Sequence, residues 1–183
     1  MNVNDSMDVI MNLLEGMPNY FVKNTSAESI FQQAITSAKD LLKNIGGKIL
    51  VFQYSAQVIK NPLLNPKQVP NNQERTDLVN ATSGTFHTMA SELAHQQISL
   101  DMFVFVQPGQ QIYKNLSTMG DFPKFASGNL YYYPGFNART HGMKFSNELY
   151  DNLTRKIAWE AVFRIRLSEG FKQIGSYGNI LIK

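Results

Sequence analysis

The chain has 183 residues and a formal net charge of +3 at pH 7, with 43% hydrophobic and 17% charged residues. This composition is typical of a globular domain and excludes a disordered chain, and so small a charge does not indicate nucleic acid binding. The sequence contains no cysteine, so disulfides and thiolate zinc sites are excluded. No apolar run approaches the ~18 residues of a membrane span. The start, MNVNDSMDVI, has no leader pattern, so we expect a cytosolic chain.

Apolar residues at the 3.6-residue period of a helix predict five helices along the chain. A cap residue, a capping box or a glycine marks several of their ends. The expected helices are, in order, one capped by Asp5 or Ser6 and ended near Met17 by Gly16 and Pro18, one from the Thr25 to Glu28 capping box to Gly46, one from Gly84 to Gln97, a short one with Ile112, Leu116 and Met119, and one whose apolar face holds Phe145, Leu149, Leu153 and Ile157.

Three short apolar runs between these helices predict strands, at Lys48 to Tyr54, Leu100 to Val106 and Asn129 to Tyr133. The first two lack the alternation of a half-exposed strand, which is typical of strands that helices cover on both faces. This order of elements predicts an α/β fold, a doubly wound and mostly parallel sheet with helices on both faces and right-handed crossovers. The long stretch from Ser55 to Ser83, rich in Pro, Asn and Gln, is either a variable surface excursion or a functional loop.

Residues Glu160 to Ser168 change to a two-residue period, which predicts a half-buried strand. Arg164 and Arg166 would share its polar side, about 6.6 Å apart at their Cα atoms for a rise of about 3.3 Å per residue. An extended peptide with two carboxylates at the same spacing matches this pair. The alternative is a pair of solvated arginines that contact Glu160 or Glu169 and contribute little.

No residue pattern predicts catalysis or a metal site. His87, His95 and His141 do not have ligand spacing, and the sequence lacks a phosphate-binding glycine loop and a G-x-S-x-G motif. We therefore expect no enzyme activity, no catalytic residue and no cofactor in this chain. The run Tyr131 to Tyr133 is either a strand whose rings pack under flanking helices or a partner surface.

Four segments together resemble one known family. They are GGKILVFQY (46–54), ISLDMFVFV (98–106), LYYYPGF (130–136) and LTRKIAWEAVFRIR (153–166). In this order they resemble the cargo-adaptor subunit of the COPII vesicle coat, over about residues 26–170. The sister subunit, which activates the small GTPase of the coat, shares the layout but lacks the tyrosine run and the RxR strand.

The resemblance implies an incomplete von Willebrand A-like trunk in residues 1–157 and the first strands of a β-sandwich in residues 158–183. It implies a coat component that selects cargo for transport from the endoplasmic reticulum to the Golgi. In the family, arginines at the positions of Arg164 and Arg166 lie in a basic pocket for diacidic export signals such as Asp-x-Glu. The implied partners are the GTPase-activating coat subunit, cytosolic tails of membrane cargo and an anionic membrane surface of the endoplasmic reticulum and COPII vesicles. A structural zinc finger is expected upstream in the full-length family.

The charge distribution agrees with an acidic partner, because eight Lys and Arg but only four acidic residues follow Asn137. The rival interpretation is a stand-alone von Willebrand A-type domain that binds its ligand through a divalent metal. Such a site has a D-x-S-x-S motif, which the sequence lacks. Because the chain opens past the first strands of such a trunk and stops within an apolar run, we expect it to be a fragment.

Overall fold

The structure is a computed structural model that describes residues 3–24, 30–54, 84–106, 116–158 and 161–180. The predicted Thr25 to Glu28 capping box, the stretch from 55 to 83 and Ile112 lie outside these ranges. Within them the structure has six helices and three strands, in the order α1 Met7–Tyr20, α2 Phe31–Leu42, β1 Gly47–Gln53, α3 Gly84–His95, β2 Ile98–Phe105, α4 Leu116–Met119, α5 Asp121–Phe125, β3 Leu130–Tyr133 and α6 Ala138–Thr154.

The three strands form one parallel sheet in the order β1-β2-β3. Ile49 lies opposite Leu100 in the first pair, and Phe103 lies opposite Tyr131 in the second. Parallel neighbours need a crossover between them, and the chain supplies α3 before β2, and α4 and α5 before β3. The predicted α/β fold with a parallel sheet is therefore confirmed.

One face of the sheet forms the main hydrophobic core with α2, α3, α4 and α5. The rings of Phe31, Phe86 and Phe122 meet there, with centroids 4.9 to 6.0 Å apart. Burial of a Leu or Phe side chain stabilises a fold by about 1.5–3 kcal/mol, so this cluster is the main apolar contribution to stability. Its buried members are Phe31, Ile35, Ile49, Phe86, Ala90, Leu93, Ile98, Leu100, Met102, Val104, Met119, Phe122 and Ala126.

The opposite face of the sheet is covered by α6. Phe145 of this helix lies edge-on against the rings of Phe52, Phe103 and Phe105, with centroids 6.2, 5.8 and 5.3 Å away. Such edge-to-face pairs add about 0.5–1.5 kcal/mol to their burial. The sheet thus has helices on both faces, as the uninterrupted apolar runs predicted.

Several helix ends differ from the sequence prediction, since α2 ends at Leu42 and α3 at His95, before the predicted Gly46 and Gln97. Helix α1 continues through Gly16 and Pro18 to Tyr20, so its predicted end near Met17 is wrong. Pro18 lies in the last turn and has no backbone N–H. The loss of this one hydrogen bond does not prevent the helix from continuing to Tyr20. None of the residues of α1 is buried.

Helix α6 ends at Thr154, before Ile157, and Leu153 is 60% exposed. The predicted apolar face through Leu153 and Ile157 is therefore wrong in its last turn. The residue that α6 buries there is Asn152, because this end of the helix lies on charged groups of the sheet rather than on apolar ones. Among the helices that the structure describes, none is long and apolar enough to cross a bilayer.

Candidate functional site

Arg164 and Arg166 lie in residues 161–168, a stretch that is neither helix nor strand. Both side chains are exposed. Within the described part of the chain neither forms an ion pair, with Glu169 or with another acidic residue. Glu160, the other partner considered from the sequence, lies outside the described residues. Two arginines in water, two positions apart, can donate planar hydrogen-bond pairs to carboxylates. Their role in binding stays a prediction.

The prediction of a half-buried strand over Glu160 to Ser168 is wrong for this structure. Phe163, on the expected apolar side, is 88% exposed, and Val162, on the other side, is 86% exposed. A strand needs a neighbouring edge for its backbone hydrogen bonds. None of the described residues supplies such an edge to 161–168, so the alternating pattern alone does not produce a strand.

The segment that carries the two arginines leaves α6 at Arg155, which has an extended backbone (φ −62°, ψ 147°). Nη2 of Arg155 lies 3.4 Å from Oδ2 of Asp101. When the Asn129 side-chain amide is oriented with its oxygen towards the Arg155 guanidinium, that oxygen accepts from Nη2 and Nη1 at 2.8 and 3.1 Å. Arg155 therefore bridges β2 and the residue before β3 at the point where the chain departs.

Asp101 is completely buried on the α6 face of β2. Its Oδ2 accepts from Lys48 Nζ at 2.7 Å and from Asn152 Nδ2 at 2.8 Å, and its Oδ1 accepts from the Asn129 backbone N–H at 2.5 Å. Lys48 Nζ also donates to Asn152 Oδ1 at 2.7 Å. With Arg155, these residues form a group that we call the Asp101 network, and it joins β1, β2 and the end of α6.

The Asp101 network keeps its central carboxylate ionised. Burial alone would raise the pKa of Asp101, but hydrogen bonds from Lys48, Asn152 and the Asn129 backbone, with the charge of Lys48, lower the pKa below its usual value. A buried carboxylate is stable only when such donors replace its lost water. Fixed contacts from the strands and α6 thus replace the water that would otherwise surround the Asp101 carboxylate.

The chain returns to the same end of the sheet further along. Asn179 Nδ2 donates to the carbonyl oxygen of Gly128 at 2.5 Å, and Gly128 directly precedes Asn129. A Cβ at position 128 would lie 1.8 Å from the carbonyl oxygen of Leu100, so only glycine fits against β2 there. The segment between Arg155 and Asn179 therefore contacts residues 128–129 at both ends.

The tyrosine run packs as a strand under its helix. Tyr131 stacks on Phe103 with ring centroids 4.5 Å apart, and Tyr133 is buried against Phe105. The Tyr133 hydroxyl donates to Glu148 of α6. Burial and then this hydrogen bond raise the pKa of Tyr133, so the hydroxyl stays protonated. Of the two interpretations, packing under flanking helices is confirmed.

Two of the three histidines, His87 and His141, make local contacts. The His87 ring lies edge-on to Phe125, with centroids 4.1 Å apart, and Nδ1 of His141 accepts from the Asn137 backbone N–H at 3.1 Å. Among the residues that the structure describes, no group of three or more His, Asp or Glu could hold a metal ion.

Sequence reasoning missed the Asp101 network, although the sequence contained a signal for it. Asp101 is the one charged residue in the apolar run ISLDMFVFV, and a charge in a strand covered on both faces needs a partner. Lys48 begins the other apolar strand and was available as that partner. The contacts of Asn152 and Arg155 depend on how α6 is rotated about its axis. The apolar periodicity had predicted that Leu153 and Ile157, rather than Asn152, face the sheet.

Comparison with known proteins places this arrangement in a family. The model of the Sec23/Sec24 trunk domain matches residues 1–153. The chain therefore belongs to the Sec23/Sec24 trunk-domain family, and the resemblance found in the sequence is confirmed at this level.

Within that family, relatives that match along the whole chain are named Sec24. The chain is 31% identical to protein transport protein SEC24 A of Arabidopsis thaliana over 187 residues, covering 100% of this chain and 18% of the relative. Human protein transport protein Sec24A is 29% identical over 187 residues, with coverage of 100% and 17%. SEC24 of Dictyostelium discoideum is 30% identical over 192 residues, with coverage of 100% and 18%. The chain thus spans less than a fifth of the length of these relatives.

A solved structure supports the fold. The crystal structure of the human COPII-coat protein Sec24c superposes with a TM-score of 0.70 at 24% identity, over 84% of this chain and 21% of that one. At this identity the likeness concerns the arrangement of the sheet and its helices.

Proposed function

We propose that this chain is the trunk part of a Sec24-type adaptor of the COPII coat, which selects cargo for transport from the endoplasmic reticulum to the Golgi and has no enzyme activity. The proposal is supported by the trunk family match and by whole-chain similarity to proteins named SEC24. These comparisons favour the adaptor over a stand-alone metal-dependent domain of the von Willebrand A type.

The observation that carries the binding role is the open pair Arg164 and Arg166. Their guanidinium groups are exposed and have no ion-pair partner among the described residues. With residues 164–166 extended on binding, an extended Asp-x-Glu tail would present its carboxylates at the same spacing of about 6.6 Å. A charge-assisted hydrogen bond contributes about 1.5–3 kcal/mol at best, but water and salt reduce this value toward about 0.2–1 kcal/mol. A single tail would bind weakly, and retention in a coat would come from multivalency.

The partners follow the same charge pattern. The basic side chains after Asn137 that the structure describes are all exposed, which suits an anionic membrane surface. Each Lys or Arg near such a surface contributes about 1 kcal/mol, so peripheral attachment to the endoplasmic reticulum needs several of them and other coat proteins. We propose that the trunk pairs with the GTPase-activating coat subunit, and that residues 158–183 contribute the first strands of a β-sandwich in the full-length protein.

The full-length reading frame tests the domain proposal. The adaptor predicts a zinc-finger cysteine set upstream of this chain and β-sandwich sequence after it. A D-x-S-x-S motif at the end of an upstream strand, without those cysteines, would favour the metal-dependent rival instead.

Replacement of both Arg164 and Arg166 by alanine in the full-length protein tests the binding role. We expect the variant to lose diacidic cargo from reconstituted vesicles while it still binds the partner subunit, because both side chains are exposed and stabilise nothing in the fold. Lysine at both positions keeps the charge but loses the planar guanidinium, so it should recover part of the packaging.

The double replacement Lys23→Ala with Lys43→Ala, at exposed positions outside the basic residues after Asn137, is the matched control. It removes the same charge from other exposed positions, and diacidic cargo should be packaged as in the wild type. Equal packaging by the Arg164→Ala, Arg166→Ala variant would show that this pair is only a solvated surface.

A further inference from the structure

The segment that carries Arg164 and Arg166 starts and ends against residues 128–129, directly before β3. Arg155, at its start, contacts Asp101 and the Asn129 side chain. Asn179, near its end, donates to the carbonyl oxygen of Gly128. We propose that Asp101 and Arg155 are positioning residues for peptide recognition, because they fix where this segment leaves the trunk. This inference rests on the proposed binding role of the arginine pair.

The anchor itself is held rigidly. Asp101 has no exposed surface and accepts from Lys48, Asn152 and the Asn129 backbone N–H. Arg155 approaches this fixed carboxylate and the Asn129 amide together. A planar guanidinium held by two acceptors has both its position and its orientation fixed, which a single ion pair would not achieve.

The anchor limits where the arginine pair can lie. Arg164 follows Arg155 by nine residues, a distance of up to about 30 Å in an extended chain. Without its side-chain contacts, residue 155 would still be joined to α6, with its N–H donating to the Asp151 carbonyl oxygen, but the direction in which the segment departs would no longer be fixed. With both ends held at residues 128–129, the segment is a closed loop, and the directions in which its arginines point are restricted. Recognition of two carboxylates at one particular spacing requires such a restriction.

Arg155 can be removed without leaving Asp101 unpaired. Lys48, Asn152 and the Asn129 backbone still donate to the carboxylate. The Arg155 side chain is itself 45% exposed, and it lies on the sheet face opposite the main core. Its loss should therefore change the departure of the segment more than the stability of the trunk. A change of Asp101 would disturb both.

The test compares two cargo-tail peptides in the full-length protein, one with Asp-x-Glu and one with a further residue between the acids. We expect the wild type to prefer Asp-x-Glu. Arg155→Met should weaken binding of Asp-x-Glu about fivefold and bring the ratio of the two affinities close to one. Arg155→Lys keeps the charge beside Asp101 without spanning to Asn129, so it should restore part of the preference. A purely structural role would lower both affinities together and leave their ratio unchanged.

The control is Lys39→Met, which breaks the 2.7 Å ion pair with Glu92 on the core-side helices. It removes one charge, as Arg155→Met does, but lies away from the departure of the segment. Both affinities and their ratio should remain those of the wild type.

A second readout follows the position of the segment without any peptide. This chain has no cysteine, so labels can be placed at Met143→Cys on α6 and Phe163→Cys, two exposed positions. Any cysteine elsewhere in the full-length protein that reacts with the label is first replaced. The distance distribution between the labels should broaden in Arg155→Met and stay narrow in Lys39→Met.

The outcomes separate this inference from the proposed function. If Arg164→Ala with Arg166→Ala binds both peptides like the wild type, the proposed function is wrong. If that variant loses binding while Arg155→Met keeps the affinity ratio and the label distances, the function stands and the positioning role is wrong. Equal weakening of both peptides with unchanged distances also overturns positioning, since Arg155 would then act only through its charge.

Discussion

Replacement of Asp101 by asparagine is expected to destabilise the trunk strongly. Asparagine has nearly the same shape, so the change removes the charge without opening a cavity. The Lys48 side chain is only 15% exposed and would keep an ammonium group without its carboxylate. Arg155, which is more exposed, would lose the same partner.

The expected cost follows from these contacts. Removal of one member of a buried ion pair costs about 3–5 kcal/mol, because the other charge stays buried. Lys48 retains hydrogen bonds to the side-chain and main-chain oxygens of Asn152, at 2.7 and 3.3 Å. We therefore expect the lower end of the range, about 3 kcal/mol, which corresponds to about 150-fold in the opening equilibrium at about 1.4 kcal/mol per tenfold change.

Hydrogen exchange in the full-length protein measures this cost directly. Peptides from β2 and α6 should exchange about two orders of magnitude faster in Asp101→Asn, provided that these amides exchange through opening of the trunk. The pH dependence follows from the lowered pKa of Asp101. Its stabilisation is fully present above the unfolded-state pKa of about 3.9 and is lost as the pH falls through the lower folded-state pKa. The difference between wild type and variant should therefore shrink in that acidic window.

The ion pair between Lys39 and Glu92 supplies a matched control. Its nitrogen and oxygen atoms are also 2.7 Å apart, but the Glu92 side chain is 49% exposed. Glu92→Gln should therefore cost no more than about 1 kcal/mol. Equal exchange in Asp101→Asn and wild type, or a difference that stays constant into acid, would refute the assignment of Asp101 as a buried and charged anchor.

Two further substitutions test close packing on the sheet. Gly128→Ala should prevent accumulation of folded protein, because its Cβ would collide with the Leu100 carbonyl oxygen. Gly84→Ala is the control, since no atom lies within 4 Å of the added Cβ, and it should give soluble protein with a wild-type circular dichroism spectrum. Similar yields of the two variants would contradict the close packing of residue 128 on β2. Tyr133→Phe should lower the free energy of unfolding by about 1.5 kcal/mol, the lower end for a hydrogen bond to a charged group, since the Glu148 side chain is 30% exposed. Tyr150→Phe, at an exposed position, is its control in a thermal melt, and equal melting temperatures would exclude a contribution from the hydroxyl.

The sheet was predictable because its strands carry a strong local signal. Runs such as those around Leu50 and Phe103 are too apolar for anything but a strand covered on both faces, and the structure confirms strands there. Helix ends were less certain, as Pro18 shows, since one missing hydrogen bond in a last turn costs too little to fix the boundary. The short helix α5 was not predicted, because five residues contain too little periodicity.

The candidate site was predictable only in its residue types. The alternation around Arg164 predicted a strand that the structure does not form, because pairing requires an edge from elsewhere, which a local pattern does not contain. The anchor of Arg155 on Asp101 joins residues that are 54 positions apart. Such a contact follows from the packing of α6 on the sheet. The only indication of it in the sequence was Asp101, a charged residue within the apolar run of β2.

A calorimetric titration of the full-length protein with an Asp-x-Glu tail peptide tests the binding role of Arg164 and Arg166 most directly. We expect weak binding that weakens further with added salt and disappears when Arg164 and Arg166 are both alanine, while an Ala-x-Ala peptide does not bind either protein. Binding of the diacidic peptide to the double alanine variant with wild-type affinity and salt dependence would contradict this role of the two arginines.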